Sequence, residues 1–346
     1  MQLPNMQLFF ILVTLSGLFF KCPLAYPLSN DTFTRRGYAN GTDELDTGGH
    51  AGFPSSPEKR WPRLPTYQVL IPWCFRDAAS EQAIGAHVID RAWETWSRVL
   101  GPASVQNGHN LLFYHWKAVD GNYYPYCYEA NGQWNPRVPP ETVVVSYNHV
   151  YQPGVQAQAS IGYKATENTP GRHWLVMTYD AMTRNPEFAV AHELGHVFGL
   201  LHEHQRPDRD YYVGYNCRNV FGFKETLARA RADGFTEDQL CNQPGVARRY
   251  GWAGAEFVKI PPIPTDVLTP YDYQSIMHYD CRNGADPAVY GPDPTNALLY
   301  PIYGFSTAGD QAGILPLKGD KPYPHFTISL GDAAAIRLMY PFYPPA

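Results

Sequence analysis

The chain has 346 residues, of which 44% are hydrophobic, 14% aromatic and 17% charged, so it can bury a sizeable core and is not an intrinsically disordered protein. Its formal net charge of −5 argues against a protein that binds nucleic acid through a basic surface. The 32 prolines shorten helices and thereby exclude a coiled coil or a helical bundle.

The first segment of the chain has the pattern of a secretory signal. Leu8–Phe20 is an apolar run that is too short to cross a bilayer, and it lies close to the N-terminus. We expect cleavage after Ala25, so that residues 1–25 form the signal peptide. No other stretch of the sequence is long and apolar enough for a membrane span. The sequence therefore predicts a secreted, extracellular protein without stable membrane insertion.

Residues 26–60 differ in composition from the rest of the chain. They are polar and glycine-rich, lack apolar periodicity, and contain glycosylation sequons at Asn30 and Asn40. Such a stretch is either a disordered tail or a pro-segment. The dibasic pair Lys59-Arg60 at its end favours a pro-segment that a processing protease removes, which leaves residues 61–346 as the folded domain.

The globular part begins with strand and helix patterns. Gln68–Phe75 predicts a strand, and Pro72 within it favours an edge strand or a strand end. Apolar residues at helical spacing predict one helix over Ser80–Leu100, which Gly101-Pro102 ends. Further strands are predicted over Leu111–Trp116, Thr142–Tyr147 and Trp174–Thr178.

A central helix follows these strands. Asn185 supplies an N-cap and Pro186 the first helical position, so a helix is predicted from there to about Leu200. The remainder is predicted to consist mostly of loops. Two more helices are expected there, over Val220–Ala232 and from Ser329 to about Tyr340.

Six cysteines are present, of which Cys22 falls within the signal peptide. The other five are expected to form disulfides in a secreted chain, with one left free or paired between chains. Sequence alone does not select the pairs, and no two cysteines have the C-x-x-C spacing of a cysteine zinc site. These five are Cys74, Cys127, Cys217, Cys241 and Cys281.

The central helix carries the pattern His-Glu-x-x-His at His192, Glu193 and His196. Histidines four residues apart lie on one helix face and can bind a single zinc ion, and the glutamate between them lies near the same face. Gly199 can end the helix in a left-handed conformation, which allows His202 to return to the metal. Two core histidines on a buried helix would explain neither Gly199 nor His202.

Two segments resemble the astacin family of metzincin metalloproteases. Residues 192–210, HELGHVFGLLHEHQRPDRD, are similar to the extended zinc signature of that family. Residues 275–279, SIMHY, are similar to its methionine turn. Weaker similarities at Trp61, at residues 160–163 and at residues 328–340 extend the likeness over most of the globular part.

The resemblance implies an α+β fold with a metzincin-like catalytic domain. A twisted, mostly parallel sheet with two long helices would lie above a loop-rich lower part, with a zinc cleft between them. Residues 160–163 resemble the edge strand along which astacins pair the substrate backbone. His202 and Met277 are farther apart in sequence than expected for an astacin, which predicts an insertion within residues 213–270.

The resemblance also implies a role for each motif residue. One Zn²⁺ per chain would be bound by three histidine ligands, His192, His196 and His202. Glu193 would act as general base, and Tyr279 would be a further zinc ligand that also binds the reacting centre. Three residues would have structural roles near the site, namely Met277, Glu203 and Gly199. His204 and His278 match no ligand position and are interpreted as structural neighbours.

Two start points for the mature chain remain open. Cleavage after Arg60 is favoured by the dibasic pair in a flexible, proline-flanked stretch. The resemblance instead implies a start near residue 52, because in astacins the new amino terminus pairs through water with the glutamate that Glu203 matches. A start at Trp61 would leave Glu203 in need of another partner, since a buried unpaired carboxylate is unfavourable.

Together these patterns predict a secreted zinc-dependent endopeptidase, made as a zymogen, that hydrolyses peptide bonds in protein or peptide substrates through a zinc-activated water. No nucleic-acid partner is expected. The alternative is a catalytically inactive, zinc-containing binding or adhesion module that uses an aromatic-rich surface. That surface would be formed by Trp116, Tyr123, Tyr124, Tyr126, Tyr128 and Trp134. Core packing is the simpler interpretation of this aromatic cluster, and the presence of Glu193 and Tyr279 favours the enzyme.

Overall fold

The computed structural model describes residues 60–65, 68–118, 123–149, 157–260, 271–307, 310–315 and 327–342. The predicted signal peptide, and the predicted pro-segment up to residue 59, lie outside these ranges. Within the described ranges no helix has both the length and the apolar character needed to cross a membrane.

A five-stranded sheet forms the centre of the first half of the domain. Its strands are β1 (Val69–Phe75), β2 (Leu111–His115), β3 (Val143–Asn148), β4 (Ala157–Ala159) and β5 (Trp174–Thr178). The spatial order is β2-β1-β3-β5-β4, and only β4, at one edge, runs antiparallel to its neighbour. The sheet is therefore mostly parallel, as predicted.

The position of β1 corrects the expectation drawn from Pro72. The strand lies between β2 and β3 rather than at an edge. The amide of Val69 donates to the carbonyl of Asn110, which precedes β2. Because the backbone groups of successive strand residues face opposite sides, the odd-numbered residues of β1 face β2 and residue 72 faces β3. Pairing with β3 starts only at Trp73. Pro72 therefore lies just before the point at which an amide donor is needed, and the missing N–H disrupts no bond.

The helix predicted over Ser80–Leu100 is in fact two helices, α1 (Ala78–Ile84) and α2 (Ala86–Leu100). Gly85 separates them with a φ of 79°, a conformation that only glycine adopts readily. The apolar stripe continues across the break, and this continuity hid the break from periodicity. As predicted, Gly101 ends α2.

The central helix forms where the sequence predicted it. A short helix α3 (Tyr179–Arg184) leads into α4 (Pro186–Phe198), whose first turn is capped by the side chain of Asn185. The 15-residue α2 packs against the 13-residue α4, and the indole Nε1 of Trp96 donates to the carbonyl of Ala191 at 2.8 Å. These are the two long helices of the predicted fold, and they belong to the main core with the sheet.

The part that follows α4 contains more regular structure than the predicted loops. Its helices are α5 (Phe223–Ala232), α6 (Glu237–Asn242), α7 (Pro244–Arg249), α8 (Pro287–Tyr290) and α9 (Leu330–Met339). A three-stranded antiparallel sheet joins β6 (Val213–Tyr215), β7 (Ile302–Thr307) and β8 (Asp310–Leu315) in that order. Most of the described residues in this part still lie in loops outside these helices and strands, as predicted; the short elements were not indicated by the sequence because they lack long periodic runs, and they pack around a second core.

Two disulfides are described. Cys74–Cys127 joins β1 to the loop before β3, and Cys217–Cys241 joins the start of residues 213–260 to α6. Cys281 is fully buried and is likewise disulfide-bonded. Among the described cysteines none is a free thiol, so of the two alternatives for the fifth cysteine, free or paired between chains, the free thiol was wrong.

Candidate metal centre

Three histidine side chains converge beside the C-terminal half of α4. The Nε2 atom of His202 lies 3.2 Å from Nε2 of His192 and 3.1 Å from Nε2 of His196. The candidate ligand atoms of the group all lie within 4.8 Å of one another. In the described part of the chain no other group of His, Cys, Asp or Glu side chains has this arrangement.

Each imidazole is oriented through its other ring nitrogen. Nδ1 of His192 donates to the carbonyl of Ile276 at 2.7 Å, and Nδ1 of His196 donates to the carbonyl of Leu200 at 2.9 Å. Nδ1 of His202 donates to Oε1 of Gln205 at 3.0 Å. Because these partners are acceptors, Nδ1 carries the proton and the lone pair of each Nε2 points into the site.

The electrostatic environment keeps His196 and His202 neutral. Burial, with a further contribution from His192, lowers the pKa of His196 to about 3. Burial and the neighbouring histidines lower the pKa of His202 well below its ordinary value. Three neutral nitrogen donors with converging lone pairs suit one tetrahedral zinc ion that retains an open position, and the residues present therefore fit the metal.

The turn after α4 brings His202 to the other two histidines. Gly199 has a left-handed φ of 105°, and its amide donates to the carbonyls of Gly195 and His196. The amide of Leu200 also donates to the carbonyl of Gly195, at 2.8 Å. These bonds end the helix as a glycine C-cap does, and the chain reverses direction to reach His202. The predicted structural role of Gly199 is consistent with this geometry.

Glu193 is almost completely enclosed beside the histidines. It is 5% exposed, and its Oε2 atom has no hydrogen-bond partner within the described structure. Burial raises the pKa of its carboxyl to about 8, and the charge of Glu256 adds to the shift. A buried carboxyl group with one free oxygen beside a metal site can take up and release a proton.

Tyr279 lies against two of the histidines. Its ring centroid is 4.5 Å from that of His202 and 4.3 Å from that of His204, on which it stacks. Burial raises the pKa of its hydroxyl well above the ordinary value, so the group remains a hydrogen-bond donor at neutral pH. The side chain thus borders the three histidines, as the methionine-turn pattern implied.

Met277 lies beneath the helix that carries the first two histidines. It is fully buried, and a Cβ atom built on Gly195 would lie 2.3 Å from its Sδ atom. Glycine at position 195 therefore allows the methionine turn to approach α4 closely. The same turn supplies the Ile276 carbonyl that orients His192, so its position is coupled to the metal site.

The methionine turn is held from below by Asp332, in the first turn of α9. Its carboxylate accepts from the hydroxyl of Ser275 at 2.6 Å and from the amide of Ile276 at 2.8 Å. Ser329 caps α9, and its side chain and that of Asp332 exchange hydrogen bonds with the helix amides. One carboxylate thus fixes both the helix start and the turn.

Glu203 is completely buried and forms an ion pair within its own loop. Its Oε1 atom accepts from Arg206 at 2.8 Å and from the amide of Asp272 at 2.9 Å, while Oε2 has no partner in the described structure. Burial raises the pKa of the carboxyl to about 8, although Arg206 opposes this shift. Arg206 in turn bonds both carboxylate oxygens of Asp208. A cationic partner for Glu203 is therefore already present in the fold.

The other two histidines of the motifs have structural partners. His204 is fully buried and donates from Nε2 to the carbonyl of Glu256 at 2.9 Å. His278 is bonded through Nε2 to the hydroxyl of Tyr271 at 2.7 Å. Neither belongs to the three-histidine group, which agrees with their interpretation as structural neighbours.

Most of the aromatic cluster is engaged in packing. Rings of Trp116, Tyr128 and Trp134 pack against a small core that contains the Cys74–Cys127 disulfide. The indole of Trp134 donates to the carbonyl of Val138, and that of Trp116 to the carbonyl of Arg137. Two members are exposed, namely Tyr123 and Tyr124.

Sequence reasoning did not single out three residues that contact or influence the site. Gln205 holds His202, Asp332 holds the methionine turn, and the charge of Glu256 acts on both Glu193 and Tyr279. Gln205 follows the third histidine by three positions, and Asp332 is the N3 residue of a capping box; both could have been flagged from spacing. Glu256 lies in no motif, and no sequence signal points to it.

Comparisons with known proteins agree with the motifs. Residues 185–232 match the Astacin peptidase family. Astacin-like metalloprotease toxin 2 of Loxosceles intermedia is 34% identical over 99 residues, and Bone morphogenetic protein 1 of Xenopus laevis is 32% identical over 152 residues. The matches span 28% and 44% of this chain but only 27% and 15% of the two relatives. The likeness to the astacin family is thus confirmed.

Among solved structures, the chain was matched to High choriolytic enzyme 1, a hatching enzyme zinc-protease from Oryzias latipes. It shares 17% sequence identity, and the alignment covers 82% of this chain and 96% of that one. The TM-score is 0.43.

Proposed function

We propose that this protein is a secreted, zinc-dependent endopeptidase that cleaves proteins or peptides. The observation that carries the proposal is the convergence of three Nε2 lone pairs beside a buried carboxyl group with one unpartnered oxygen, that of Glu193. The likeness of residues 185–232 to the astacin family supports the same chemistry.

His192, His196 and His202 would hold one zinc ion, which when bound would supply a Lewis acid and a water with a pKa of about 7. Glu193 accepts the proton of the attacking water through its free oxygen and returns it to the leaving amine. Burial of Glu193 raises its proton affinity, which suits a group that must both take and give a proton near neutral pH.

Tyr279 donates a hydrogen bond to the oxyanion that forms when the peptide carbonyl is attacked. Its ring lies beside His202, and its hydroxyl remains protonated because burial raises its pKa. Such a bond is strongest when negative charge has developed on the oxygen, so it stabilises the transition state more than the bound substrate.

The substrate backbone binds along the open edge of β4. This strand pairs only with β5 in the described sheet, so its other edge is available for a further strand. Just beyond the strand, the amide of Gly162 donates to the carbonyl of His196 at 2.9 Å, which fixes residues 160–163 beside the metal-binding helix. An extended peptide added to this edge would pass in front of the three histidines.

The chain is expected to be made as a zymogen, with a signal peptide over residues 1–25 and a pro-segment over residues 26–60. The composition of these segments and the dibasic pair Lys59-Arg60 support this assignment. Processing and secretion would place the enzyme outside the cell, where its disulfides are stable.

The experiment that tests the proposal is cleavage of casein by purified, secreted protein. Activity should disappear on treatment with a chelator and return when zinc is added. A protein that binds zinc yet cleaves neither casein nor gelatin would instead indicate a binding or adhesion module.

A further inference from the structure

A short segment of residues 213–260 is fixed directly to the metal-binding loop. The carbonyl of Glu256 accepts from His204 Nε2 at 2.9 Å, and the carbonyl of Val258 accepts from Gln205 Nε2 at 3.1 Å. Between them, the carbonyl of Phe257 accepts from Arg209. Gln205 is also the residue that holds His202, so this segment, Glu256–Val258, has a defined position relative to the site.

Within this segment Glu256 alone turns its side chain outward. Its neighbours Ala255, Phe257 and Val258 are buried, whereas Glu256 is exposed. In the described part of the chain its carboxylate has neither a hydrogen bond nor a salt bridge. Arg248 is near enough to lower the pKa of the carboxyl, but burial by neighbouring groups has the larger effect and raises it.

Glu256 lies beside the catalytic groups, since its carbonyl bonds the His204 ring that stacks on Tyr279. The ring of the adjacent Phe257 lies 5.5 Å from Tyr279 and 5.8 Å from His204. The charge of Glu256 also raises the pKa of both Glu193 and Tyr279, so the carboxylate is close to both. A second carboxylate, without a hydrogen bond in the described structure, is therefore held near Glu193 and Tyr279.

We propose that Glu256 selects a cationic side chain of the peptide substrate, a lysine or arginine, at a position next to the cleaved bond. The proposal rests on the endopeptidase function proposed above. An exposed carboxylate without a protein partner, in partly desolvated surroundings, is stabilised when an ammonium or guanidinium group binds it. An acidic substrate side chain would be repelled by the charge of Glu256, so the same group also disfavours the opposite charge.

The test uses pairs of fluorogenic peptides that differ only in lysine or norleucine, placed in turn at each position around the cleaved bond. At one position the lysine peptide should have a kcat/KM at least about fivefold higher. In Glu256→Gln this ratio should fall to about one, and in Glu256→Lys it should fall below one. Because both peptides undergo the same chemistry, any change in the catalytic groups cancels in the ratio.

Glu225→Gln is the matched control, since it removes the same charge from an exposed position on α5 in the same part of the chain. It should keep the parent ratio. A binding measurement that needs no turnover accompanies these assays: zinc-loaded Glu193→Gln should bind the lysine peptide more tightly than the norleucine peptide in fluorescence anisotropy. Adding Glu256→Gln should remove the difference.

The outcomes separate this inference from the function on which it rests. If the parent cleaves peptides but shows no lysine preference, or if the preference survives in Glu256→Gln, the role of Glu256 is refuted and the endopeptidase stands. If no peptide is cleaved but the Glu256-dependent binding preference is found, the endopeptidase is refuted and the cation site stands. Absence of both cleavage and preference overturns both.

Discussion

A buried carboxyl group with a free oxygen is unusual, because an unsatisfied polar atom reduces the stability of the folded state. Glu193 is such a group, and its helix could hold an apolar side chain at the same position without that penalty. Groups of this kind are retained where chemistry requires them. We therefore expect the residue to serve function rather than stability.

Replacement of Glu193 by glutamine tests this role. The variant should still bind one zinc per chain, because the three histidines and their Nδ1 partners are unchanged. Its kcat/KM should fall at least about a hundredfold, the usual effect of removing a general base. Metal analysis and a peptide assay measure the two quantities. Glu187→Gln, on the same helix, is the control, and near-parent activity of Glu193→Gln would refute the mechanism.

Replacement of Tyr279 by phenylalanine should lower kcat more than it raises KM, since the proposed bond strengthens in the transition state. Zinc content and the unfolding midpoint should stay close to those of the parent. Tyr290→Phe, at a tyrosine whose ring stacks on Tyr300, is a matched control that should be silent. If KM alone changed, the hydroxyl would have to be assigned to substrate binding instead.

For single residues, the sequence indicated which histidines come together at the metal site, but not which groups orient their rings. The sequence spacing of His192, His196 and His202 is enough to predict that their rings converge. The helix pitch brings the first two rings together, and the turn at the glycine brings the third to them. The groups that orient the rings are the carbonyl of Ile276 and the side chain of Gln205. Any residue type offers a carbonyl, so no sequence pattern marks the position of Ile276 in advance.

Among the elements, α4 and the methionine turn depend on each other through a steric contact. The backbone of Gly195 lies directly against the sulfur of Met277, and the indole of Trp96 closes the same space. Met277 is fully buried, so its side chain cannot move aside into solvent. Even a methyl group at position 195 should therefore displace the turn and the Ile276 carbonyl with it.

Gly195→Ala should lower the free energy of unfolding by about 1 to 3 kcal/mol. It should also speed the loss of zinc to a chelator, because His192 loses its orienting partner. Denaturant unfolding and the rate of metal release measure both effects. Gly245→Ala, in α7 with no atom within 4 Å of the added Cβ, is the matched control and should be neutral or slightly stabilising. Equal behaviour of the two variants would contradict the contact.

Helices and strands with clear sequence signals at their ends were predicted well, whereas elements that lack such signals were missed. Trp174–Thr178 and α4 have clear boundaries in sequence, and both form there. The break at Gly85 was missed because one apolar stripe spans both helices. The helices α6 and α7 are six residues each, too short for helical periodicity, and they depend on the second core for stability.

At the scale of the whole molecule, acid sensitivity should arise in part from His173, which is fully buried beside Trp61. Nδ1 donates to the carbonyl of Glu141, and Nε2 accepts from the amide of Lys164, so the fold requires the neutral ring. Burial, together with the charges of Arg172 and Lys164, lowers the pKa of His173 to about 4.

Because this folded-state pKa lies below the unfolded value of 6.5, the contribution of His173 to stability is complete above pH 6.5 and is lost as the pH falls towards 4. The loss between pH 7 and 4.5 should be roughly 2 to 3 kcal/mol. Urea unfolding of the parent and of His173→Gln at both pH values isolates the effect, since other groups cancel in the difference. A stability difference that does not change with pH would rule out this assignment.

The start of the mature chain is a further property of the whole molecule. The ion pair between Glu203 and Arg206 provides the partner that a start at Trp61 would otherwise leave missing. We expect N-terminal sequencing of secreted, active protein to begin at Trp61. A first residue near 52 would overturn this choice, and one near Tyr26 would remove the pro-segment.

The bond between Asp332 and the methionine turn has a consequence for the order of events during synthesis. All three histidines leave the ribosome long before Asp332 does, and domains fold as their parts emerge. Until Asp332 arrives, the Ile276 amide lacks the acceptor that holds it in the described structure, and the neighbouring carbonyl that orients His192 is not held in place. We therefore expect a nascent chain to acquire its metal late, once the closing helix has docked. This delay would protect the secretory pathway from a protease that is active before it is complete.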